Sequence, residues 1–314
     1  MEAVLRQHGT YDSRDVTSER ITALENIVTA IVPAAADEFE DVRRTILPEF
    51  DAYGELIAGV EANVAGLLVR GEGENFTARV SGLMGRWGMT DEAIEFHVTL
   101  ADAFDHTRIF LKLEWWEDHG RLERQIAVYY RRRPYVHHAL KILADFAGPT
   151  CLPLGEFREL AALLGKETVH FVAFTARPDR PLWHKFYFSQ YLTPESYTAA
   201  QMRLERSVAR FAPESAAAPQ WAAYHDRLAP RWRQQSIFVS IAMSEDGRDG
   251  SLKIDYPDVE PTVAAALLQR AAVLTAEERL RCLCGAAGRK ALSYLGVRIG
   301  RPEHLILKGY ADFI

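Results

Sequence analysis

The 314-residue sequence predicts an α+β protein: a ten-stranded antiparallel β-barrel surrounded by helices, built as five helix–strand–strand–helix repeats in one domain over 1–314. Pairs of β-type runs joined by turn residues recur about every 45–65 residues with helical patterns between them, the spacing of a repeated structural unit. Four of the hairpins carry a lysine at an alternate-residue position: Lys112, Lys185, Lys253 and Lys308. Ten antiparallel strands would leave exposed edges, and closure into a barrel removes them. Helices between hairpins then wrap the outside. The competing arrangement is a sandwich or an open sheet with helices on one face.

Each element has its own signal. Residues 17–31 and 36–58 read as amphipathic helices, with apolar positions three and four apart. NVAGLLVR, GEGEN and FTARVSG read as the first hairpin, 63–82, and the weakest, because Ala and Gly are poor strand formers. TDEAIEFHVTLADAF (90–104) is helical, with acidic residues in its first turn. RIFLKLEWW and RLERQIAVYY form the second hairpin around EDHG, which Pro134 ends. YVHHALKILADFAG and LGEFRELAALLG are the next helices. The third hairpin pairs VHFVAFTA with WHKFYFSQ. Thr193-Pro194 caps a helix running to about Phe211, with proline at its first position. Residues 212–219 resemble a linker too short to divide domains, and a helix follows near 220–231. The fourth hairpin pairs SIFVSIAM with SLKIDYP. Pro261 opens a helix to about 273, Thr275-Ala-Glu-Glu278 is a capping box, and LSYLGVRI with HLILKGYADF closes the chain.

Composition narrows the function classes. A hydrophobic share of 48% and a charged share of 25% are ordinary for a globular protein. The net charge of −6 argues against general nucleic-acid binding. No apolar run reaches the ~18 residues of a membrane span, and the N-terminus lacks the apolar core of a secretory signal. Cys151, Cys282 and Cys284 fit reduced thiols in the cytoplasm. Cys282-x-Cys284 has no second ligand pair at zinc spacing, and His137-His138 has no metal-ligand partner. Arg131-Arg132-Arg133 reads as a solvated rim that attracts an acidic substrate. A closed barrel predicts a monomer.

Strand alternation assigns the faces. Leu111, Leu113 and Trp115 face the helices, leaving Lys112, Glu114 and Trp116 inward. The same rule turns Lys185, Tyr187 and Ser189 inward, and then Lys253 and Asp255, Tyr294 and Arg298, and Lys308 and Tyr310. On the first hairpin it turns Thr77, Arg79 and Ser81 inward. A single lysine opposite an apolar face is ordinarily a solvated surface residue. Together, Arg79, Lys112, Lys185, Lys253, Arg298 and Lys308 in a lumen with only Glu114 and Asp255 demand an anion. That points to a phosphate or diphosphate, for which lysine is a point-charge binder. Tyr187, Tyr294 and Tyr310, with Trp116 and Phe238, either fill the barrel or hold a cation through their ring faces.

VHFVAFTARPDRPLWHKFYFSQYLTPES (169–196) resembles the third hairpin of the bacterial branch of the prenyltransferase-barrel family, the αββα aromatic prenyltransferases of bacterial and fungal secondary metabolism. Lys185-Phe-Tyr187 and Lys308-Gly-Tyr310 resemble the Lys-x-Tyr strands of its indole branch, and Arg79 stands where that branch has a first-hairpin arginine. The resemblance implies transfer of a dimethylallyl or geranyl group from its diphosphate to an electron-rich aromatic small molecule or peptide side chain. Arg79, Lys112, Lys185, Lys253, Arg298 and Lys308 would then hold the diphosphate and stabilise its developing charge. Tyr187, Tyr294 and Tyr310 would shield the allylic cation, and Trp116 and Phe238 would line the acceptor pocket. Glu114 is the candidate base or acceptor-orienting group, with Asp255 second; lysines around Glu114 should keep it ionised. Some bacterial members place a magnesium-binding aspartate on the first hairpin. Thr77, Arg79 and Ser81 stand there instead, which favours charge clamping without magnesium or another cofactor. The aspartate-rich DDxxD motif of helical prenyl synthases is absent. The alternatives are a non-catalytic barrel that binds an anionic lipid or isoprenoid, and an open-sheet adaptor with its lysines in solvent.

Overall fold

A computed structural model describes residues 13–49, 54–59, 63–147, 154–191, 196–212, 221–222, 225, 236–245, 250–266, 273–300 and 306–313. Its centre is a closed antiparallel barrel in the order β1-β10-β9-β8-β7-β6-β5-β4-β3-β2. The strands are β1 (Gly54–Gly59), β2 (Val64–Gly71), β3 (Ile109–Asp118), β4 (Arg121–Tyr130), β5 (Phe171–Ala176), β6 (Trp183–Tyr191), β7 (Ser236–Ser244), β8 (Gly250–Val259), β9 (Leu292–Gly300) and β10 (Ile306–Phe313). The described helices are α1 (Ser13–Ile31), α2 (Ala36–Thr45), α3 (Gly73–Arg86), α4 (Asp91–Ala103), α5 (Val136–Ala147), α6 (Leu154–Leu164), α7 (Tyr197–Phe211), α8 (Pro261–Ala266) and α9 (Val273–Ala286). No helix among the described residues is long and apolar enough to cross a membrane. Most of the helix expected near 220–231, the linker at 213–219, Cys151 and Leu305 lie outside the described residues.

Every hairpin after the first follows the period-2 reading. Leu111, Leu113 and Trp115, Phe186 and Phe188, Leu252, Ile254 and Tyr256, and Leu295, Val297 and Ile299 all join the apolar layer between barrel and helices. Phe157 of α6 stacks on Phe186 at 4.5 Å, and Phe96 of α4 packs edge-on to Phe174 at 5.2 Å. The opposite face lines a second, interior cluster of Ile57, Leu68, Phe110, Tyr129, Tyr187 and Tyr310. The β3–β4 turn takes His119 at φ 49 and Gly120 at φ 75, the two positive values of a type I′ hairpin, whose twist suits the strands.

The first hairpin lies elsewhere than expected. It is β1–β2, residues 54–71, and the expected helix over 36–58 stops at Thr45. The segment FTARVSG is part of α3. Its buried residues Phe76, Thr77, Val80, Leu83 and Met84 fall at helical spacing, a period that a seven-residue window disguises as alternation. β1 hides in the opposite way: all six residues of GELIAG are buried, so no polar face betrays its period. Arg79 therefore leaves the lumen. It sits on the outer surface of α3, where Nη1 donates to Thr45 O at 2.9 Å, and Thr77 and Ser81 bond within the helix layer.

Trp115 anchors the outer layer. It is fully buried, packs edge-on to Trp87 at 5.6 Å, and its Nε1 donates to Glu38 Oε2 at 3.0 Å. Trp115→Ala should destabilise the barrel by ~3–5 kcal/mol, read as a fall in the urea midpoint at constant slope. A loss below ~1 kcal/mol would mean that α2 and α3 do not clamp the barrel through this residue.

Candidate active site

Five strands carry a basic layer at one end of the lumen. Glu114 is its internal counter-ion: fully buried, it accepts from Lys308 Nζ at 2.7 Å, lies 3.0 Å from Lys112 Nζ, and also accepts from Gln125. Gln125 Oε1 in turn accepts from Arg177 Nε at 3.0 Å, and the Arg177 guanidinium lies 4.8 Å over the Trp116 ring. Lys253 is paired separately, 2.5 Å from Asp255 Oδ1, and donates to the Tyr310 hydroxyl at 2.9 Å. Lys185 has only 5% exposure and stands opposite Ala173 and Ala242, whose small side chains leave room around it. No hydrogen-bond or ion-pair partner meets Lys185 or Arg298 among the described residues.

The electrostatics follow from one carboxylate serving two ammonium groups. Burial alone would raise Glu114, but Lys112 and Lys308 override it and hold it well below the usual carboxylate range. Each lysine gets only half a counter-ion in return. Burial pulls Lys112 down, and pulls Lys308 down to about 7 with Lys112 and Arg298 adding to the effect. Lys185 is driven well below the lysine range by burial and by Lys112, Arg298 and Lys253. Lys253 goes the other way: burial lowers it, but Asp255 and the Tyr310 hydroxyl more than compensate, and it stays charged. The layer lacks negative charge that the described residues do not supply.

One or two residues along the same strands, the lining turns aromatic. A cavity of about 290 Å³ is bounded by Phe110, Tyr129, Phe171, Tyr187, Phe238, Tyr294 and Tyr310, with Lys253 and Asp255 where it meets the basic layer. Phe171 is the hub, with ring centroids 5.4 Å from Phe110, 6.0 Å from Tyr187 and 6.3 Å from Phe238. Burial raises the hydroxyls of Tyr129, Tyr294 and Tyr310, so these rings stay neutral. Glu55, Arg70, Arg131 and His170 complete the far rim.

Lys112, Lys185, Lys253, Arg298 and Lys308 thus come together as expected, and Tyr187, Tyr294, Tyr310 and Phe238 line one cavity. Three assignments change. Arg79 is outside the barrel. Glu114 is spent between two lysines and does not touch the cavity, so it is not placed to meet an acceptor. Trp116 lies in the basic layer under Arg177 and not in the aromatic pocket. Asp255 does reach the cavity, though bound to Lys253. Burial of the lysines (Lys112 is 3% exposed) overturns the open-sheet adaptor. Sequence reasoning missed Glu55 and Arg70, which belong to the misplaced first hairpin, and Arg177, Tyr129, Phe110 and Phe171, whose alternation was legible. Arg131, expected as a solvated rim, lines the cavity with its guanidinium 5.9 Å over Phe171. Cys284 is buried, its thiol pushed up to about 11 by that burial, and no group of three metal-ligating side chains occurs among the described residues.

No family model and no curated protein sequence matches the chain. Solved structures do. The 5-dimethylallyltryptophan synthase of Streptomyces coelicolor superposes with a TM-score of 0.63 at 13% identity, over 96% of this chain and 98% of its own. NotF, crystallised with brevianamide F and DMSPP, gives 0.65 at 9% identity, over 100% and 98%. The prenyltransferase PriB, in a ternary complex with L-tryptophan and dimethylallyl thiolodiphosphate, gives 0.59 at 13%, over 95% of each chain. The chain has the fold of these prenyltransferase barrels, with 95–100% of its length aligned to them.

Two outcomes test the basic layer. With Lys308 at about 7 and Lys185 well below the ordinary lysine range in the empty barrel, an anion that restores the missing charge raises both. Binding of dimethylallyl thiolodiphosphate at pH 8, where the ligand is itself fully ionised, should therefore take up protons, and affinity should fall as pH rises above 7. The same linkage makes the empty barrel gain stability between pH 7 and the ordinary lysine range, where the unfolded chain holds the extra protons. Calorimetry in two buffers of different ionisation heat counts the protons; a count of zero would mean that the lysines are charged beforehand. Gly296 is the steric test, because a Cβ there would stand 2.6 Å from Lys253 Cε and 2.8 Å from Asp255 Oδ1. Gly296→Ala should weaken the analogue more than tenfold, and unchanged affinity would show that this pair is not part of the anion site.

Proposed function

We propose that the barrel is an aromatic prenyltransferase that moves a dimethylallyl group from its diphosphate to an electron-rich aromatic acceptor. One observation carries this: a basic layer short of negative charge abuts, one strand step away, a cavity walled by neutral aromatic rings. A plain anion binder needs the first and not the second. The same fold in NotF and PriB holds a thiolodiphosphate analogue together with an aromatic compound, which supports the assignment. The cavity's 290 Å³ is at the small end of ~300–1,000 Å³ ligand sites and favours dimethylallyl over geranyl.

In this mechanism the diphosphate lies in the basic layer with the allyl group pointing into the cavity. The C–O bond breaks heterolytically and its electron pair leaves with the diphosphate. Lys112, Lys185, Lys253, Arg298 and Lys308, with Arg177, stabilise that charge where water is excluded. The allylic cation sits against the faces of Tyr187, Tyr310, Tyr129 and Tyr294, each worth ~1–2 kcal/mol when desolvated. The acceptor ring supplies an electron pair to form the new C–C bond, and loss of a ring proton restores aromaticity. Glu55, on β1 at the aromatic end and 6% exposed, is the carboxylate placed to orient the acceptor or take that proton. Asp255 is second, since Lys253 holds it.

Magnesium has no role in this proposal. A divalent cation wants several oxygen ligands. The carboxylates of the basic layer, Glu114 and Asp255, are already bound to lysines, and a cation entering that layer meets several basic side chains. EDTA should therefore leave activity unchanged. A monomer, as a closed barrel with no free strand edge suggests, is part of the same proposal and is checked by light scattering.

Lys185→Met should weaken dimethylallyl thiolodiphosphate at least tenfold. Glu55→Gln should leave that affinity intact and slow turnover ~10²-fold, measured as pyrophosphate release with an indole acceptor. Tight binding of the analogue with no pyrophosphate released for any aromatic would make the protein a non-catalytic isoprenoid binder.

A further inference from the structure

We propose that His170 is a specificity-determining residue of the acceptor subsite, where its neutral imidazole donates an N–H to an oxygen atom carried on the acceptor's side chain. The assignment rests on the prenyltransferase function above and extends it to the chemistry of the acceptor. His170 immediately precedes β5 and lines the aromatic cavity. Its place is fixed on three sides. The ring packs edge-on to Phe171 at 4.7 Å and tilted against Phe238 at 4.8 Å, and the backbone N–H donates to Tyr187 O at 2.7 Å. The residue as a whole is 8% exposed, and its ring nitrogens, which are open to the cavity and not sealed inside the protein, have no hydrogen-bond partner among the described residues. An imidazole clamped by two rings, facing a ligand cavity and without a protein partner, is held ready to bond a polar group of the ligand.

The surroundings decide which kind of partner. Burial, with Arg131 and Arg133 adding to it, pushes the His170 imidazole down to about 3. It is neutral at any working pH and keeps one N–H donor and one lone pair. The field of those arginines is positive at the ring, so an electron-rich oxygen is favoured there over a second donor. A donor on the acceptor, such as an indole N–H or a phenol O–H, is better met by the Glu55 carboxylate on the same cavity. The acceptor is thereby defined as an aromatic ring carrying a carboxylate or a carbonyl on a short side chain, that oxygen lying in the corner made by His170 and Arg131.

Three matched acceptors test this: indole-3-propionate, indole-3-propionamide and 3-methylindole, followed by pyrophosphate release. In His170→Phe, which keeps the ring contacts, kcat/KM for the two oxygen-bearing acceptors should fall at least tenfold relative to that for 3-methylindole. His170→Asn, which restores an N–H donor, should recover part of the loss. The wild-type ratio of propionate to propionamide tells a charged oxygen from a neutral one. Affinity for dimethylallyl thiolodiphosphate and the melting temperature should not move in either variant. Equal losses for all three acceptors, or no loss for any, would overturn the assignment. As a second measurement, the ring nitrogen resonances of His170 in the wild-type thiolodiphosphate complex should shift when indole-3-propionate binds; unmoved resonances with the acceptor bound would also overturn it. Normal analogue binding with no pyrophosphate from any acceptor would instead bring down prenyl transfer itself, and the role of His170 with it.

Discussion

Positive charge enclosed without its counter-charge is the constraint on which this structure turns. An ion moved out of water into a protein interior costs several kcal/mol even after relaxation. The barrel nevertheless buries Lys112 and Lys185 and encloses most of Lys253 and Lys308, with two carboxylates between them. Glu114 answers for Lys112 and Lys308 together, and Asp255 answers for Lys253. Nothing among the described residues answers for Lys185. A chain selected only for stability would replace that lysine with a leucine. Its presence in so dry a place makes sense if a ligand completes the charge, because the unfavourable energy of the empty state is returned when the anion arrives.

The scaffold is arranged to tolerate that load. Around the barrel, the outward strand faces and the helices form one continuous apolar layer, whose burial offsets the cost of the charged lumen. Inside, small residues stand where the large polar ones need space. Ala127 lies opposite Lys112, Ala173 and Ala242 flank Lys185, and Gly66 lies beneath Glu114, where a Cβ would come within 2.9 Å of its Cγ. The alternation of large and small across neighbouring strands turns a ring of bulky side chains into a site with a floor, a wall and a gap. The lumen is also graded along its axis. On β3 the inward residues run Phe110, Lys112, Glu114; on β9 they run Tyr294, Gly296, Arg298. The lysines are gathered in one layer and most of the ring faces in the next, with Glu55, Arg70 and Arg131 on the far rim of the rings, and a ligand with an anionic head and an apolar tail is favoured with its head among the lysines.

What could be read in the sequence follows from this construction. Hairpins two to five have one face in the apolar layer and one in the lumen, so their period-2 signal is strong and five of the six basic residues assigned from it point inward. The first hairpin breaks the rule because β1 is apolar on both faces except at Glu55, and a short apolar run flanked by a helical pattern reads as more helix. Arg79 was lost to that error, and Glu55 and Arg70 were hidden by it. Alternation also has no information about depth. It sends Trp116 and Phe238 to the same face but cannot say that one lies among the cations and the other among the rings. Arg131 and His170 stand just beyond strand ends, where alternation has no purchase, and the barrel's curvature alone brings them over the cavity.

The same axial order separates the roles of the two kinds of carboxylate. Glu114 and Asp255 are held by lysines, and their charge is consumed in making the basic layer habitable. Glu114 in particular is ionised so firmly that it neither gives nor takes a proton near neutral pH. Glu55 lines the aromatic cavity and has no ion pair to any of the lysines of the basic layer. In the proposed reaction, a carboxylate there would meet the positive charge that develops late, on the acceptor ring after the new bond has formed, and the basic layer would meet the negative charge that develops early, on the leaving diphosphate. Two charge changes of opposite sign, separated in time, would be met by fixed groups of opposite sign, with tyrosine faces against the carbon skeleton while it is the cation. A protein that merely held an isoprenoid would share the lysines and the apolar wall; the proposed transfer adds a use for an acid group lining the same cavity as the rings.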